Sequence, residues 1–296
     1  MAFVWHAVIF FGLPFHGFAN TDSLAAEQQL LASRELRKTA PDKAHEMMDE
    51  VSAFMREKAH WYRYTYAQSR KVITYWKHQD SARAAQVVAH CWDTLQRHAT
   101  DDSAAVGTWH LMKAIHENNR GKRAIAIKYF KVTLRLLKGL KIRDLRGHRW
   151  YCHRELMNHF RQQHDHHRSL YHAQERLAEQ LQYFGPDHQK VAFCHRDVGI
   201  ILGELGRYKK ALPYFMELLR IQLLHPNPGL LSQVYGQLGA LYHTLHDLEK
   251  STFYAELSLD HALSAPAKSA FQVHYNYRTL AINYENMGNT AKASHY

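Results

Sequence analysis

Cysteine, proline and glycine are all scarce in this sequence. The 296 residues include three cysteines, seven prolines and 14 glycines. Three cysteines in a chain of this length do not make a disulfide framework, so a reducing cytoplasm is the default location. The low proline and glycine content, together with apolar residues that recur with the period of a helix, predicts an all-α fold.

The short motifs that mark common catalytic sites are also missing. The sequence contains no G-x-S-x-G, no H-E-x-x-H, no P-loop and no G-x-G-x-x-G after a predicted strand. Acidic residues occur throughout, but no pair is singled out by its surroundings as a general acid and base. We therefore predict that the chain is not an enzyme, with no catalytic residues and no cofactor.

Positive charge is abundant by contrast. Lysine and arginine number 38 against 27 acidic residues, which gives a formal net charge of +11, and there are 24 histidines. Such a surface favours anionic partners, including acidic proteins and carboxylate-bearing peptides. Because the cations are spread along the whole chain and form no basic run, direct nucleic-acid binding is not indicated.

Residues 1–19, MAFVWHAVIFFGLPFHGFA, are apolar and end in a small residue. They lack the lysine or arginine of a typical signal peptide, and Gly12 and Pro14 interrupt them. The stretch is too short and too broken for a membrane-spanning helix. Two interpretations stay open, an export signal or an apolar extension, so export through residues 1–19 is the alternative to a cytoplasmic location.

An internal repeat with a period of 40–43 residues organises the rest of the chain. YCHRELM at 151–157 returns as FCHRDVG at 193–199 and, more weakly, as YNYRTLA at 275–281. Five copies are supported from residue 108 onward, with a weaker sixth from residue 66. The predicted divisions are an apolar segment at 1–23, a helical segment or cap at 24–60, and a repeat array at 61–296 whose last repeat is incomplete.

Each repeat is predicted to be a helix–turn–helix unit. Gly121, Gly206 and Gly288 lie where a first helix ends, and we expect a left-handed backbone there. Phe130 and Phe215 are expected to fill the space between neighbouring pairs. Small residues let the paired helices approach closely, and they stand at positions 126, 169, 211, 251 and 293. Because no pair buries its apolar stripe alone, the repeats should stack into a right-handed superhelical solenoid.

The recurring cysteine and histidine residues are interpreted as packing residues and not as metal ligands. Cys152 and His153 are adjacent on a helix and point to different sides of it, as do Cys194 and His195. Position four of each repeat faces inward, so we expect His153, His195 and Tyr277 to be largely buried. The run HDHH at 164–167 falls at a predicted turn and offers no zinc-helix spacing. No metal site is predicted.

The arginine of the same repeated stretch is the residue to which we assign function. Positions two, five, nine and twelve of each first helix line the predicted concave face. Arginine recurs at position five and offers a planar fork suited to carboxylates, and the aromatic residue at position two adds anchoring area. The predicted ligand-binding residues are Tyr151, Arg154, Asn158, Arg161, Phe193, Arg196, Gln233, His243, Tyr275 and Arg278. The alternative is that the arginines make ordinary ion pairs with acidic neighbours such as Glu155 or Asp197.

Other residues of the repeats follow a pattern that resembles a known repeat family. The matching residues are Leu238-Gly239 with Tyr242, Gly206-x-Tyr208, and Ala211 with Phe215, which resemble the tetratricopeptide repeat pattern. The array, most of all over 143–218, resembles the repeat domain of the Rap-, Rgg- and PlcR-type peptide-pheromone receptors of Gram-positive bacteria. This resemblance implies a cytoplasmic quorum-sensing receptor whose groove binds a short signalling peptide and which then modulates a partner protein.

The expected partner is therefore a short linear peptide or an acidic segment of a protein. The alternative function is an exported or membrane-linked sensor or scaffold that assembles other proteins through its repeats. The last repeat stops partway through its second helix, which leaves two interpretations: the chain is a fragment of a longer receptor, or a homodimer covers the final apolar face. Membrane contact is expected only if residues 1–19 act as a signal or an anchor.

Overall fold

The computed structural model describes residues 21–142, 145–265 and 270–296 of the protein. The apolar stretch at 1–19, and with it the choice between export signal and extension, lies outside the described residues. Within the described part of the chain, the all-α prediction is confirmed, since helices connected by turns and short loops make up the whole structure. No described helix is long and apolar enough to cross a membrane.

Fourteen α-helices follow one another through the described residues. In chain order they are α1 (Thr21–Leu36), α2 (Pro41–Glu57), α3 (Trp61–Lys77), α4 (Ser81–His98), α5 (Ser103–Asn119), α6 (Arg123–Leu136), α7 (Leu145–Gln162), α8 (His166–Phe184), α9 (Gln189–Glu204), α10 (Tyr208–Leu224), α11 (Pro228–Thr244), α12 (Leu248–Ser264), α13 (Ala270–Asn286) and α14 (Thr290–His295). From α3 onward, each odd-numbered helix and the helix after it form one helix–turn–helix pair.

The chain divides into two compact units, Met1–Val132 and Thr133–Tyr296. The first unit has a core rich in aromatic residues, in which the indole N–H of Trp109 donates a hydrogen bond to the carbonyl of Val88 at 2.9 Å. The second unit has an aliphatic core that continues from α7 to α12. The predicted divisions after residues 23 and 60 stay predictions.

The turns inside the helix pairs share one backbone conformation. The turn residues Gln79, Gly121, His164, Gly206, His246 and Gly288 all have positive φ, between 58° and 76°. After Gly206, the amide of Arg207 donates to the carbonyl of Leu202 at 2.8 Å, which closes the helix C-terminus as in a Schellman motif. The left-handed prediction for the three glycines is confirmed, and histidine or glutamine takes the same position in the other pairs.

Small residues bring the paired helices together, as predicted. Ala126, Ser169, Ala211 and Ser251 are completely buried, and Ala293 is half-buried. The hydroxyl of Ser169 donates to the carbonyl of Met157 at 3.0 Å, and the hydroxyl of Ser251 donates to the carbonyl of Gly239 at 2.9 Å. These bonds join a second helix directly to the backbone of its partner helix, an approach that a larger side chain would prevent.

Glycine and histidine occupy equivalent turn positions in two repeats, and substitutions at the two positions are expected to change stability in opposite directions. Gly206 has φ 70° and His246 has φ 64°. Replacing Gly206 with alanine should destabilise the fold by about 1–2 kcal/mol, because a Cβ is strained in this region. The His246→Gly variant should instead gain a few tenths to about 1 kcal/mol, since relief of strain outweighs the added backbone entropy. Urea midpoints of the two variants test this, and a shift of the same sign in both would contradict it.

Candidate functional site

The ten predicted ligand-binding residues all lie on first helices of the second unit. We call them the arginine face. Five are exposed, namely Arg154, Arg161, Gln233, Tyr275 and Arg278, and five are half-buried, namely Tyr151, Asn158, Phe193, Arg196 and His243. They form one stripe along α7 that is repeated on α9, α11 and α13. Every member therefore presents some surface to solvent, as a contact residue must.

Two aromatic–arginine pairs of the stripe, one on α7 and one on α9, have the same local arrangement. The guanidinium carbon of Arg154 lies 4.6 Å from the ring centroid of Tyr151, and that of Arg196 lies 5.2 Å from the ring of Phe193. These distances are typical of cation–π contacts. In each case the aromatic ring one turn earlier on the helix supports the guanidinium from below and limits the positions that it can take.

Both arginines also contact the acidic residue that follows them. An Nη2 atom of Arg154 lies 3.0 Å from Glu155, and the corresponding atom of Arg196 lies 3.1 Å from Asp197. The ion pairs of the alternative interpretation are therefore present. A guanidinium has five N–H donors, and these pairs use two of them in Arg154 and one in Arg196. Donors remain for a carboxylate of a ligand, so the ion pairs and ligand binding are compatible.

Asp197 is held from a second side by a residue that the sequence did not single out. Nη1 of Arg176, on α8, lies 2.7 Å from the second carboxylate oxygen of Asp197. The side chains of both residues are more than four-fifths buried. A single carboxylate thus bridges Arg176 and Arg196 and fixes the position of the latter. No sequence signal indicates Arg176, because only the packing of α8 on α9 brings it to Asp197.

Arg161 and His243 are engaged in contacts between neighbouring pairs. Nε of Arg161 donates to Glu204 at 2.7 Å, which connects the end of α7 to the end of α9. Nδ1 of His243 lies 2.8 Å from the side-chain oxygen of Asn283, whose amide donates to Ser251 at 2.7 Å. Both residues therefore stabilise the stacking of repeats, in addition to any ligand contact.

The remaining members of the stripe differ in their surroundings. The side chains of Asn158, Gln233 and Arg278 form no hydrogen bond or ion pair with any described residue. The ring of Tyr275 stacks on Phe271 with centroids 6.5 Å apart. Phe271 is 77% exposed, and it extends the aromatic stripe by one turn of α13. Phe271 lies before position two of its repeat, so the repeat pattern did not mark it as a site residue.

The buried histidines and cysteines of the described residues do not form a metal site. His153 is buried, as predicted, whereas His195 and Tyr277 are half-buried. All three cysteines are buried and unpaired. Burial raises the pKa of the Cys194 thiol to about 11 and that of Cys91 to about 12, so neither is a reactive thiolate at neutral pH. Among the described residues, no group of three histidine, cysteine or acidic side chains is placed to hold a metal ion.

The comparisons with known proteins agree with this architecture. Residues 153–223, which run from α7 to α10, match the family model of the tetratricopeptide repeat. No curated protein sequence matches the chain. The fold, with its sequential helix pairs and left-handed turns, is that of a tetratricopeptide repeat protein.

Solved structures with a similar fold include three proteins of different kinds. The apo form of RapI has a TM-score of 0.65 and 15% identity, and the match covers 91% of this chain and 73% of that one. A signal-transduction ATPase with a tetratricopeptide repeat sensor from Pyrococcus horikoshii has a TM-score of 0.66 and 13% identity over 89% of this chain and 39% of its own. PilF of Pseudomonas aeruginosa has a TM-score of 0.50 and 12% identity, and the match covers 78% of this chain and 88% of PilF. The similarity concerns the fold.

Proposed function

We propose that the protein is a peptide-binding regulatory module whose arginine face holds a short linear peptide. The observation that carries this proposal is the repetition of one arrangement, an accessible arginine above an aromatic ring, at Tyr151 with Arg154 and at Phe193 with Arg196. Tyr275 and Arg278 stand at the equivalent positions of α13. Neither arginine is required by the turn or by the helix crossing of its repeat, and both guanidinium groups are accessible to solvent.

The chemistry of this surface defines the ligand. Arginines held by aromatic rings suit carboxylates, either acidic side chains or the C-terminus of the peptide. The half-buried rings of Tyr151 and Phe193 supply apolar area for hydrophobic side chains of the ligand. We therefore expect a short peptide with a free carboxylate or acidic residues and at least one large apolar side chain. An acidic segment of a partner protein has the same chemistry.

The regulatory output and the location are parts of the proposal. A peptide that binds one arrangement of the repeats better than another shifts their populations and so changes the affinity for a second protein. Three unpaired buried thiols support a reducing, cytoplasmic location. The second candidate is an assembly scaffold, either exported or membrane-linked. The exposed apolar residues Phe271, Tyr275 and Ile282 on α13 favour a protein contact of that kind.

A thermal-melting screen tests the peptide proposal. The protein is heated with and without short peptides, each present with a free and with an amidated C-terminus. At one hundred times its dissociation constant a true ligand adds about 2.7 kcal/mol of stability. We expect the Arg154→Ala/Arg196→Ala variant to bind such a peptide about 100-fold more weakly, because two charge-assisted contacts of about 1.5 kcal/mol each are lost.

The matched control removes two arginines with similar surroundings elsewhere. The guanidinium of Arg168 lies 5.4 Å from the ring of Phe160, and Arg220 pairs with Asp187 at 2.7 Å. Arg168→Ala/Arg220→Ala changes the net charge equally and should leave the peptide shift intact. A shift that persists in the arginine-face variant, or that disappears equally in the control, would place the ligand elsewhere. If no peptide produces a shift, the assembly scaffold is the better description.

A further inference from the structure

A cleft of about 700 Å³ opens in the second unit, lined by the end of α6, the segment after it, α7 and α8. We call it the α6–α8 cleft. It contains none of the ten residues of the arginine face, and half of its lining residues lie on the second helices α6 and α8. Its volume falls in the range of small-molecule sites, about 300–1,000 Å³.

An ion pair fixes the shape of this cleft. Nε of Arg149 donates to Glu179 at 2.7 Å, and Nη1 of the same residue lies 3.3 Å from the carbonyls of Leu137 and Leu140. One guanidinium therefore ties α7 to α8 and to the segment that follows α6. Leu137 is completely buried, which anchors that segment further. These contacts hold the walls of the cleft together.

Four further cations line the cleft. Arg135, Lys138 and Lys141 come from the end of α6 and the segment after it, and Arg146 comes from the first turn of α7. None of the four forms an ion pair with a described residue. Repulsion among cations that line one concave surface is unfavourable, and an anion bound among them would relieve it.

The α8 wall of the cleft has the opposite character. It carries Glu175, Glu179 and Gln182, which offer hydrogen-bond acceptors, and Tyr171, which is 56% exposed. One carboxylate oxygen of Glu179 is buried without any hydrogen-bond partner. A buried carboxylate oxygen without a donor is unfavourable, so this wall is suited to hydroxyl or amino groups of a ligand.

We propose that the α6–α8 cleft binds a small phosphorylated molecule that also carries hydroxyl or amino donors, such as a nucleotide or a sugar phosphate. The phosphate lies among Lys138, Lys141 and Arg146, and the donors face Glu175 and Glu179. An extended acidic peptide fits less well, because part of it would meet the two glutamates of the α8 wall. The proposal is independent of the arginine face and adds a second ligand to the same unit.

Calorimetric titration of the full chain with defined probes tests the proposal. The probes are pyrophosphate, AMP and glucose 6-phosphate, with adenosine and glucose as their unphosphorylated counterparts. We expect each phosphorylated probe to bind at least 10-fold more tightly than its counterpart. The Lys138→Gln/Lys141→Gln variant should weaken phosphate binding at least 10-fold. Glu175→Gln should weaken AMP or glucose 6-phosphate but not pyrophosphate, which has no donor for that wall.

The control is Lys209→Gln/Lys210→Gln on α10, which removes the same charge from two exposed lysines outside the cleft. It should change the affinity of each probe less than twofold. Equal weakening by both lysine variants, or no preference for the phosphorylated probes at millimolar concentration, would overturn the proposal. A glutamate-rich peptide is also titrated. If it binds more tightly than the small probes and Lys138→Gln/Lys141→Gln abolishes this binding, the ligand of the cleft is an acidic segment and not a small molecule. Peptide binding at the arginine face should survive in this variant, which separates the two proposals.

Discussion

Replacing Phe215 with alanine is expected to lower the free energy of unfolding by about 3–5 kcal/mol, among the largest effects of a single substitution in this chain. Phe215 is 5% exposed and lies in the core of the second unit. Its ring covers Gly199 of the partner helix, where the position of a Cβ would be 3.0 Å from the nearest ring carbon. Truncation leaves a cavity against α9 that the aliphatic neighbours fill only in part.

A double-mutant cycle isolates the contact between ring and glycine. Gly199→Ala should cost about 1–3 kcal/mol in the wild type, because the added methyl group overpacks the ring. In the Phe215→Leu background the same change should be close to neutral, a coupling of about 1 kcal/mol or more. Gly203→Ala, one turn further along α9, is the control, since its Cβ would meet nothing within 4 Å. Additive urea midpoints for Gly199→Ala and Phe215→Leu would contradict this account of the helix crossing.

The repeat could be predicted because certain positions of each copy accept only a few residue types. A left-handed turn selects glycine, as at Gly206, and a close helix crossing selects a small residue, as at Ala211 and Ser251. These requirements recur at a fixed period, so a comparison of the sequence with itself finds them. His164 and His246 show the limit of this signal, because a histidine in a left-handed turn is recognised only from the neighbouring copies.

The contacts of the candidate site were less predictable, for a physical reason. The ion pairs of Arg154 and Arg196 with the next residue could be anticipated, since the partners are neighbours in sequence. Other contacts depend on which helices pack together and in what register along their axes. Examples are the bridge between Arg176 and Asp197 and the ion pair between Arg161 and Glu204. The α6–α8 cleft likewise draws its cations and its acceptors from different helices, and no short stretch of sequence contains both.

Lowering the pH from 7 to 5 is expected to lower the free energy of unfolding by about 2 kcal/mol through His153 alone. The loss arises because the unfolded chain binds a proton at this residue and the folded chain does not. Burial, followed by the charges of His172 and Arg149, lowers the pKa of His153 from 6.5 to about 3. The unfolded chain therefore binds a proton below pH 6.5 that the folded chain does not accept until about pH 3. The contribution of His153 to the free energy of unfolding is fully present above about pH 6.5, and it is lost as the pH falls from 6.5 towards 3.

The packing of His153 explains the sign of this effect. Its Nδ1 lies 3.0 Å from Nδ1 of His172, so one ring must donate and the other must accept. Protonation of both rings would place two N–H groups and two charges against each other, beside the guanidinium of Arg149. Burial also lowers the pKa values of His45, His110, His116 and His195, which adds to the loss of stability in acid.

Urea midpoints between pH 7 and pH 5, for the wild type and for His153→Gln, measure this contribution. The variant should lose stability at pH 7, because its hydrogen bond to His172 changes. Its stability should nevertheless fall with acid by about 2 kcal/mol less than that of the wild type, since the titrating group is absent. The exposed His167→Gln on α8 is the control and should follow the wild-type curve. Parallel curves for wild type and His153→Gln would mean that His153 takes up its proton in the folded protein at nearly the pH of the unfolded chain.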